Sequence, residues 1–396
     1  MRILILSPYL PLPEQGGGGT TYYYYIRHLA RQHEVNLLCL CRGRETSPSS
    51  ELTTACRSIE THYLGRLGPY VNSCWALLGN RPFRLAYYHS RPFQDAVTRY
   101  LAHHEVDVII ASHERMGQFV PATRACRVID LHDVVSDRHL MLAENTPNPL
   151  LRIGHRLEAR RLHDYQVKCL KEYDSVWVST PSEAQKLRPF DSEGRVCVMP
   201  RGIDLADFTF GLIPCPTRDL IFTGNLSYAP NVDGAVFYLT KIRPLIRSRL
   251  PNVRTLFVGN HPDKRIIALA QGQPDIVVTG RVPHMAEYLR RAYVFVAPLR
   301  IGTGARMKLL EAMAIGIPCV STSVGCSGLG LEAGEHLLVA DDPAAFADSV
   351  CRLFRDESLH ARLSHKARQF VEANYGMSEV ADRLDATLRQ LVTSRR

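Results

Sequence analysis

"YVFVAPLRIGTGARMKLLEAMAIGIPCVST", Tyr293 to Thr322, decides how the C-terminal half of this chain folds. Its first six residues are an apolar, aromatic and β-branched run closed by Pro298, the pattern of a strand buried on both faces. Gly302-Thr303-Gly304 breaks that run, and apolar residues then return at helical spacing, with Leu309, Leu310 and Met313 on the buried side. Arg306 is placed one turn from the helix start, and Lys308 and Glu311, three apart, share the polar face. Gly316 suits the left-handed residue that ends a helix, and Pro318 opens the next strand. A glycine-rich helix mouth offers backbone N–H groups and a positive dipole end to an anion. Arg306 and Lys308 therefore read as partners of a diphosphate, and Glu311 as an acceptor for sugar hydroxyls.

Working outward, the same rhythm of buried strand and longer helical stretch runs through the whole chain. Strand-like runs fall at Ile3–Leu6, Val35–Leu40, Val106–Ala111, Arg127–Leu131, Ser175–Ser179 and Val196–Met199. They resume at Leu220–Thr223, Thr255–Gly259, Ile276–Thr279, Val294–Ala297, Cys319–Thr322 and Leu337–Ala340. This predicts an α/β fold of two Rossmann-like, doubly wound domains facing across a cleft, with ligands at the carboxyl ends of the strands. The first domain is set at 1–199 and the second at 217–375. Gly202, Gly211, Pro214 and Pro216 mark 200–216 as a hinge, and 376–396 as a last helix returning to the first domain.

Composition narrows the function. The 396 residues are 45% apolar and 22% charged, with no run approaching the ~20 apolar residues of a membrane span. MRILILSPYLPLP reads as a first strand rather than a signal peptide, which predicts a cytoplasmic protein. The 11 cysteines are an odd number with no C-x-x-C pair, as expected of reduced structural thiols. A net charge of +9 admits nucleic acid, phosphorylated ligands or an anionic membrane as partners. Zinc-finger spacing, an RNP-like strand and a basic tail are all missing, which argues against nucleic acid. The basic run Arg152–Lys171 reads as a solvated face, or as one drawn to anionic lipid headgroups.

Three further groups of residues fall at strand ends. Gly16 to Gly19 open a helix after a strand, but nine residues separate strand and glycines, which disfavours a dinucleotide cofactor. The following Tyr22 to Tyr25 point around that helix and read as packing. His132, between Asp130 and Asp133, makes an unusually polar strand end; His113 beside Glu114 reads equally well as a structural histidine. "FTGNLSYAPNVDG", "FVGNHPD" and "VTGRVPH" place Gly224, Asn225, Gly259 and Gly280 after strands, where glycine permits close approach of a ligand. There is no H-E-x-x-H and no D-x-D, and no metal is expected.

Taken in order, "VSTPSEAQKL", "MPRGIDLADF", "FTGNLSYAPNVDG", "LFVGNHP", "VTGRV" and "APLRIGTGARMKLLEAMAIGIPCVST" resemble the retaining glycosyltransferases of family 4, which have the GT-B fold. The likeness is closest to bacterial transferases of exopolysaccharide and related envelope glycans. It implies a nucleotide-sugar donor, a glycan, lipid-linked or small-molecule acceptor, and no metal cofactor. Residue by residue, it implies Glu311 at the donor ribose, Arg306 and Lys308 at the diphosphate with Gly17 and Gly18 on its other side, and Gly280 to Val282 at the base. It adds Gly224, Asn225 and Gly304 to the donor site, and sets His132 near the transferred sugar. Thr303 stands where the family has the first glutamate of its motif, and Arg201 where it often has asparagine. The resemblance further implies front-face displacement with retention, the leaving phosphate helping to deprotonate the acceptor. A nucleotide-sugar 2-epimerase or a degenerate scaffold would share the fold. Tyr63 to Arg91, rich in aromatics and arginine, is expected to choose the acceptor.

Overall fold

The computed structural model describes residues 1–12, 18–43, 47–211, 218–302 and 306–395. Gly17, Thr303, Gly304 and the hinge residues Pro214 and Pro216 lie outside them. The chain divides into two compact units, Met1–Arg201 with Val380–Arg396, and Gly202–Glu379.

In the first unit β1 (Arg2–Ser7), β2 (Glu34–Cys41), β3 (Ser58–Tyr63), β4 (Val108–Ser112), β5 (Cys126–His132), β6 (Ser175–Val178) and β7 (Val196–Val198) form one sheet. Its order is β3-β2-β1-β4-β5-β6-β7, parallel throughout, with Ile3 opposite Val35 on one side and Val108 on the other. Ile3, Leu4, Ile5 and Leu6 are completely buried, as a central strand covered on both faces requires. The order reverses between β1 and β4, so the carboxyl ends of β1, β4 and β5 surround a topological switch point. The last helix belongs to this unit from Val380 onward: Asp385 meets His33 Nε2 at 2.6 Å, and Arg395 donates to the Ala125 carbonyl at 2.9 Å.

The second unit repeats the plan with β8 (Asp219–Thr223), β9 (Thr255–Val258), β10 (Ile276–Gly280), β11 (Ala292–Ala297), β12 (Cys319–Ser321) and β13 (Leu338–Val339), in the order β10-β9-β8-β11-β12-β13. Alternate residues feed opposite cores. Leu220, Phe222, Val294 and Val296 join one apolar cluster, while Ile221 and Phe295 join another with Leu309, Leu310 and Met313. The helix Met307–Ile315 thus lies on the sheet through the three residues its spacing marked, and Gly316 ends it at φ 95°. Arg306 sits immediately before the first helical residue and not a turn inside it, because the helical backbone begins only at Met307.

Two expectations are corrected. β3 was not foreseen, since SIETHY is a polar, half-exposed edge strand without the apolar signature of its neighbours. The basic run Arg152–Lys171 is no uniformly solvated face: the helix Pro149–Glu172 buries Glu158, Arg161, Leu162, Gln166 and Cys169.

Candidate functional sites

In the second unit the switch point lies between β8 and β11, and the helix after β11 aims its first turn there. Lys308 Nζ donates to the Thr223 carbonyl at 3.0 Å and to Asn231 Oδ1 at 2.6 Å, and lies 4.3 Å from the centre of the Phe222 ring. Asn231 in turn donates through Nδ2 to the Asn225 carbonyl at 2.8 Å. One amide therefore ties the lysine to the turn that follows β8. Asn231 was within a motif noted in the sequence but carried no signal of its own, because its partner is 77 positions away.

Glycines let the strand ends close around this group. A Cβ on Gly224 (φ 134°) would lie 2.9 Å from Asn231 Nδ2 and 3.2 Å from Lys308 Nζ. On Gly259 (φ 154°) it would lie 1.8 Å from the Gly224 carbonyl oxygen. Gly259 also donates to the Gly280 carbonyl at 3.2 Å, so Gly224, Gly259 and Gly280 stand in a row across β8, β9 and β10. Three turns that looked ordinary one by one form a single glycine-lined ledge. Arg306 packs its guanidinium against Gly302, where a Cβ would meet Nη2 at 2.9 Å.

Electrostatics set this cluster apart from a surface ion pair. Burial, then the Arg306 charge, pushes the Lys308 ammonium down to about 7, with Glu311 acting in the opposite sense. Burial pushes the Glu311 carboxyl up to about 7, against the pull of Lys308. Both groups are therefore poised to change charge when an anion or a hydrogen-bond donor arrives. The buried Thr223 Oγ1 makes no hydrogen bond among the described residues. Asn225 closes its own turn by accepting from Ser227, while Val282 packs at the edge of the core that contains Leu309 and Leu310.

The first unit assembles a second group at its own switch point. His132 ends β5 at φ 60° and His113 follows β4 at φ 72°, a conformation that costs free energy in a non-glycine residue. Their rings lie 4.1 Å apart, centre to centre. His113 thus belongs with His132, a pairing that no spacing in the sequence discloses. Tyr9 lies edge-on to His113, and a Cβ on Gly18, first residue of the helix Gly18–Leu29, would meet the Tyr9 hydroxyl at 2.4 Å and the His113 ring at 2.9 Å. Tyr22 is more than packing: it donates to Asp130 Oδ2 at 2.9 Å, while Asp130 Oδ1 accepts from the His132 N–H at 2.9 Å.

Charge is balanced from the next loops. Arg201 approaches Asp133 at 3.6 Å, which gives this departure from the family pattern a local role. Glu183, held at the start of a helix capped by Thr180, accepts from the Val134 N–H at 3.2 Å and fixes the chain after His132. Burial pushes Asp130 up to about 7, and burial followed by the Arg201 charge holds His132 well below its usual range. The imidazole is consequently neutral at physiological pH. Its buried Nε2 makes no hydrogen bond among the described residues and lies 3.5 Å from Asp130 Oδ2. No group of three or more His, Cys, Asp or Glu among the described residues could hold a metal ion.

A model for Glycosyltransferase Family 4 matches residues 15–207, and one for Glycosyl transferases group 1 matches residues 217–356. The chain belongs to this family. A protein of the cps region of Klebsiella pneumoniae, described as uncharacterized, is 26% identical over 54% of this chain and 52% of its own length. A D-inositol 3-phosphate glycosyltransferase of an Arthrobacter species is 27% identical over 56% of each chain. The chain thus spans about half the length of these curated relatives. Among solved structures, sucrose-phosphate synthase from Thermosynechococcus elongatus superposes with a TM-score of 0.74 over 100% of both chains at 18% identity. HepE from Anabaena, in complex with UDP, gives 0.67 over 98% of this chain and 100% of its own at 14%. The fold is GT-B, with its two Rossmann-like domains.

Proposed function

We propose that the protein transfers a sugar from a nucleoside-diphosphate sugar to a glycan or lipid-linked acceptor of the bacterial envelope, with retention at the anomeric carbon. The observation that carries this reading is the Lys308 ammonium, fixed by Thr223 and Asn231 beside the glycine ledge. Such a ledge lets a diphosphate approach the backbone, and Lys308 and Arg306 supply the charge that the departing diphosphate requires. Glu311 accepts from the ribose hydroxyls, and the Gly280–Val282 turn borders the base. The bond from anomeric carbon to diphosphate oxygen breaks as the bond to the acceptor oxygen forms, and the acceptor proton passes to the leaving phosphate. His132, neutral and with Nε2 available, suits a hydrogen bond to a hydroxyl of the transferred sugar. Protein cations are the proposed partners of the diphosphate, without a metal.

The UDP bound to HepE supports the donor class, and the likeness to a Bacillus subtilis protein named as a putative teichuronic acid biosynthesis glycosyltransferase supports the pathway type. Thermal unfolding with UDP, GDP, dTDP, ADP and CDP tests the reading. Ligand at 100 times its dissociation constant adds ~2.7 kcal/mol to stability. A shift with one nucleotide, lost in Lys308→Ala, identifies the donor base. A well-folded protein that responds to none of the five removes the donor-site assignment.

A further inference from the structure

Large apolar side chains on the surface of the first unit are concentrated in two segments. Leu67, Tyr70, Val71, Trp75, Leu77 and Leu78 are 53–82% exposed, and so are Leu150, Leu151 and Ile153. Elsewhere among the described residues Leu140 and Leu142 are exposed to a lesser extent, at 47% and 36%, while Phe190, Phe210, Tyr228 and Ile267 stand singly. The two segments are neighbours in space: Ser73 from one and Leu150 and Leu151 from the other line one cavity of about 500 Å³, together with Phe83, Tyr87 and Tyr88. Glu158 ties the helix Pro149–Glu172 to the helix Phe83–Tyr87, which follows the first segment, by accepting from the Phe83 and Arg84 N–H groups at 2.8 and 3.1 Å. Clustered apolar exposure of this extent marks a surface that is covered in use.

Charge identifies what covers it. From Tyr63 to Gln94 the chain carries Arg66, Arg81, Arg84 and Arg91 and no acidic residue; Thr146 to Leu157 adds Arg152 and Arg156, again without an acid. Arg66 and Arg156 are exposed among the apolar side chains. Tryptophan, tyrosine and leucine interleaved with arginine fit the headgroup boundary of an anionic bilayer, where apolar groups insert and cations meet lipid phosphates. No helix among the described residues is long and apolar enough to cross a membrane, so the contact would be peripheral. We propose that the face formed by residues 66–78 and 150–156 docks the protein on an anionic lipid bilayer. The contact lies on the helix start and the Gly68–Trp75 helix, and not along the basic run Arg152–Lys171 as a whole.

Cosedimentation of the full chain with vesicles tests this independently of any reaction. Vesicles of phosphatidylglycerol and phosphatidylcholine in equal parts should bind the protein, with pure phosphatidylcholine and high salt each weakening binding roughly tenfold. Trp75→Ser with Leu78→Ser, and separately Leu150→Ser with Ile153→Ser, should reduce binding at least roughly tenfold. Arg66→Gln with Arg156→Gln should abolish the preference for phosphatidylglycerol. All these side chains are exposed, so unfolding temperatures should stay unchanged, as should any nucleotide-dependent shift. A wild type that ignores both vesicle types overturns the proposal. So does sedimentation velocity showing a dimer that Trp75→Ser with Leu78→Ser converts to monomer without vesicle binding, since the face would then cover a second copy.

Discussion

The Lys308 ammonium lies 2.6 Å from Asn231 Oδ1, and this bond joins the first turn of the helix after β11 to the first turn of the helix Ala229–Phe237, which follows β8. Among the described residues, Asn231→Ala would leave the lysine the Thr223 carbonyl and the Phe222 ring, and free it to swing away from the ledge. Loss of a buried partner of a charged group costs about 1–3 kcal/mol, so nucleotide affinity should fall roughly tenfold in a calorimetric titration. Lys308→Ala should cost more, on the order of a hundredfold in turnover. Equal affinity in Asn231→Ala and wild type would show that the asparagine does not position the lysine.

Gly259 is held at φ 154° with the Gly224 carbonyl where its side chain would be. Alanine there meets a backbone oxygen that cannot rotate aside, and also a conformation that costs about 1–3 kcal/mol by itself. Gly259→Ala should lower stability by at least about 3 kcal/mol in urea unfolding. Gly79→Ala, where a Cβ has open space, is the control and should change little.

Much of the second unit was legible because its signals are local. A buried strand, glycines, a helix with Leu309, Leu310 and Met313 on one side and Gly316 at its end all follow from spacing of a few residues. The carriers of the candidate sites are different in kind. His113 meets His132 because β4 and β5 are neighbours, and Asn231 meets Lys308 because β8 and β11 are neighbours. Strand order is a tertiary property, and a single sequence gives no measure of it. Tyr22 was read as packing for the same reason: its hydroxyl partner, Asp130, is 108 positions away. The glycine ledge needed both kinds of information, since each turn is common and only their alignment across three strands is not.

Asp130 makes a prediction about pH. Its carboxyl is buried and raised to about 7 from an ordinary 3.8, so between those values the folded state binds more protons than the unfolded state. Stability from this group therefore falls as pH rises through that window, by up to about 1.4 kcal/mol per unit. His113 and His132, held neutral by burial, act oppositely: the unfolded state binds their protons, and stability rises as pH increases toward the ordinary histidine range. Asp130→Asn keeps one oxygen to accept from the His132 N–H and presents an amide N–H that the Tyr22 hydroxyl oxygen can accept, while removing the carboxyl titration. Relative to wild type, the variant should gain stability between pH 4 and 7. Urea unfolding at several pH values measures the difference, and parallel curves for the two proteins would mean that Asp130 is ionised throughout.

His132 is the clearest test of separation between donor binding and chemistry. Its Nε2 is buried without a hydrogen bond among the described residues, and its positive φ is retained at a cost. A group kept in that state is expected to interact with a ligand that supplies the missing partner. His132→Ala should lower turnover by roughly two orders of magnitude if, as proposed, its contact is to the sugar and strengthens as the anomeric centre reacts. Nucleotide diphosphate affinity should stay within roughly threefold of wild type, since Lys308, Arg306 and Glu311 are the proposed partners of that part of the donor. Asp130→Asn, which leaves the imidazole in place, should retain far more activity than His132→Ala. If His132→Ala weakens nucleotide binding and turnover by the same factor, the histidine supports the fold of the loop and does not touch the sugar.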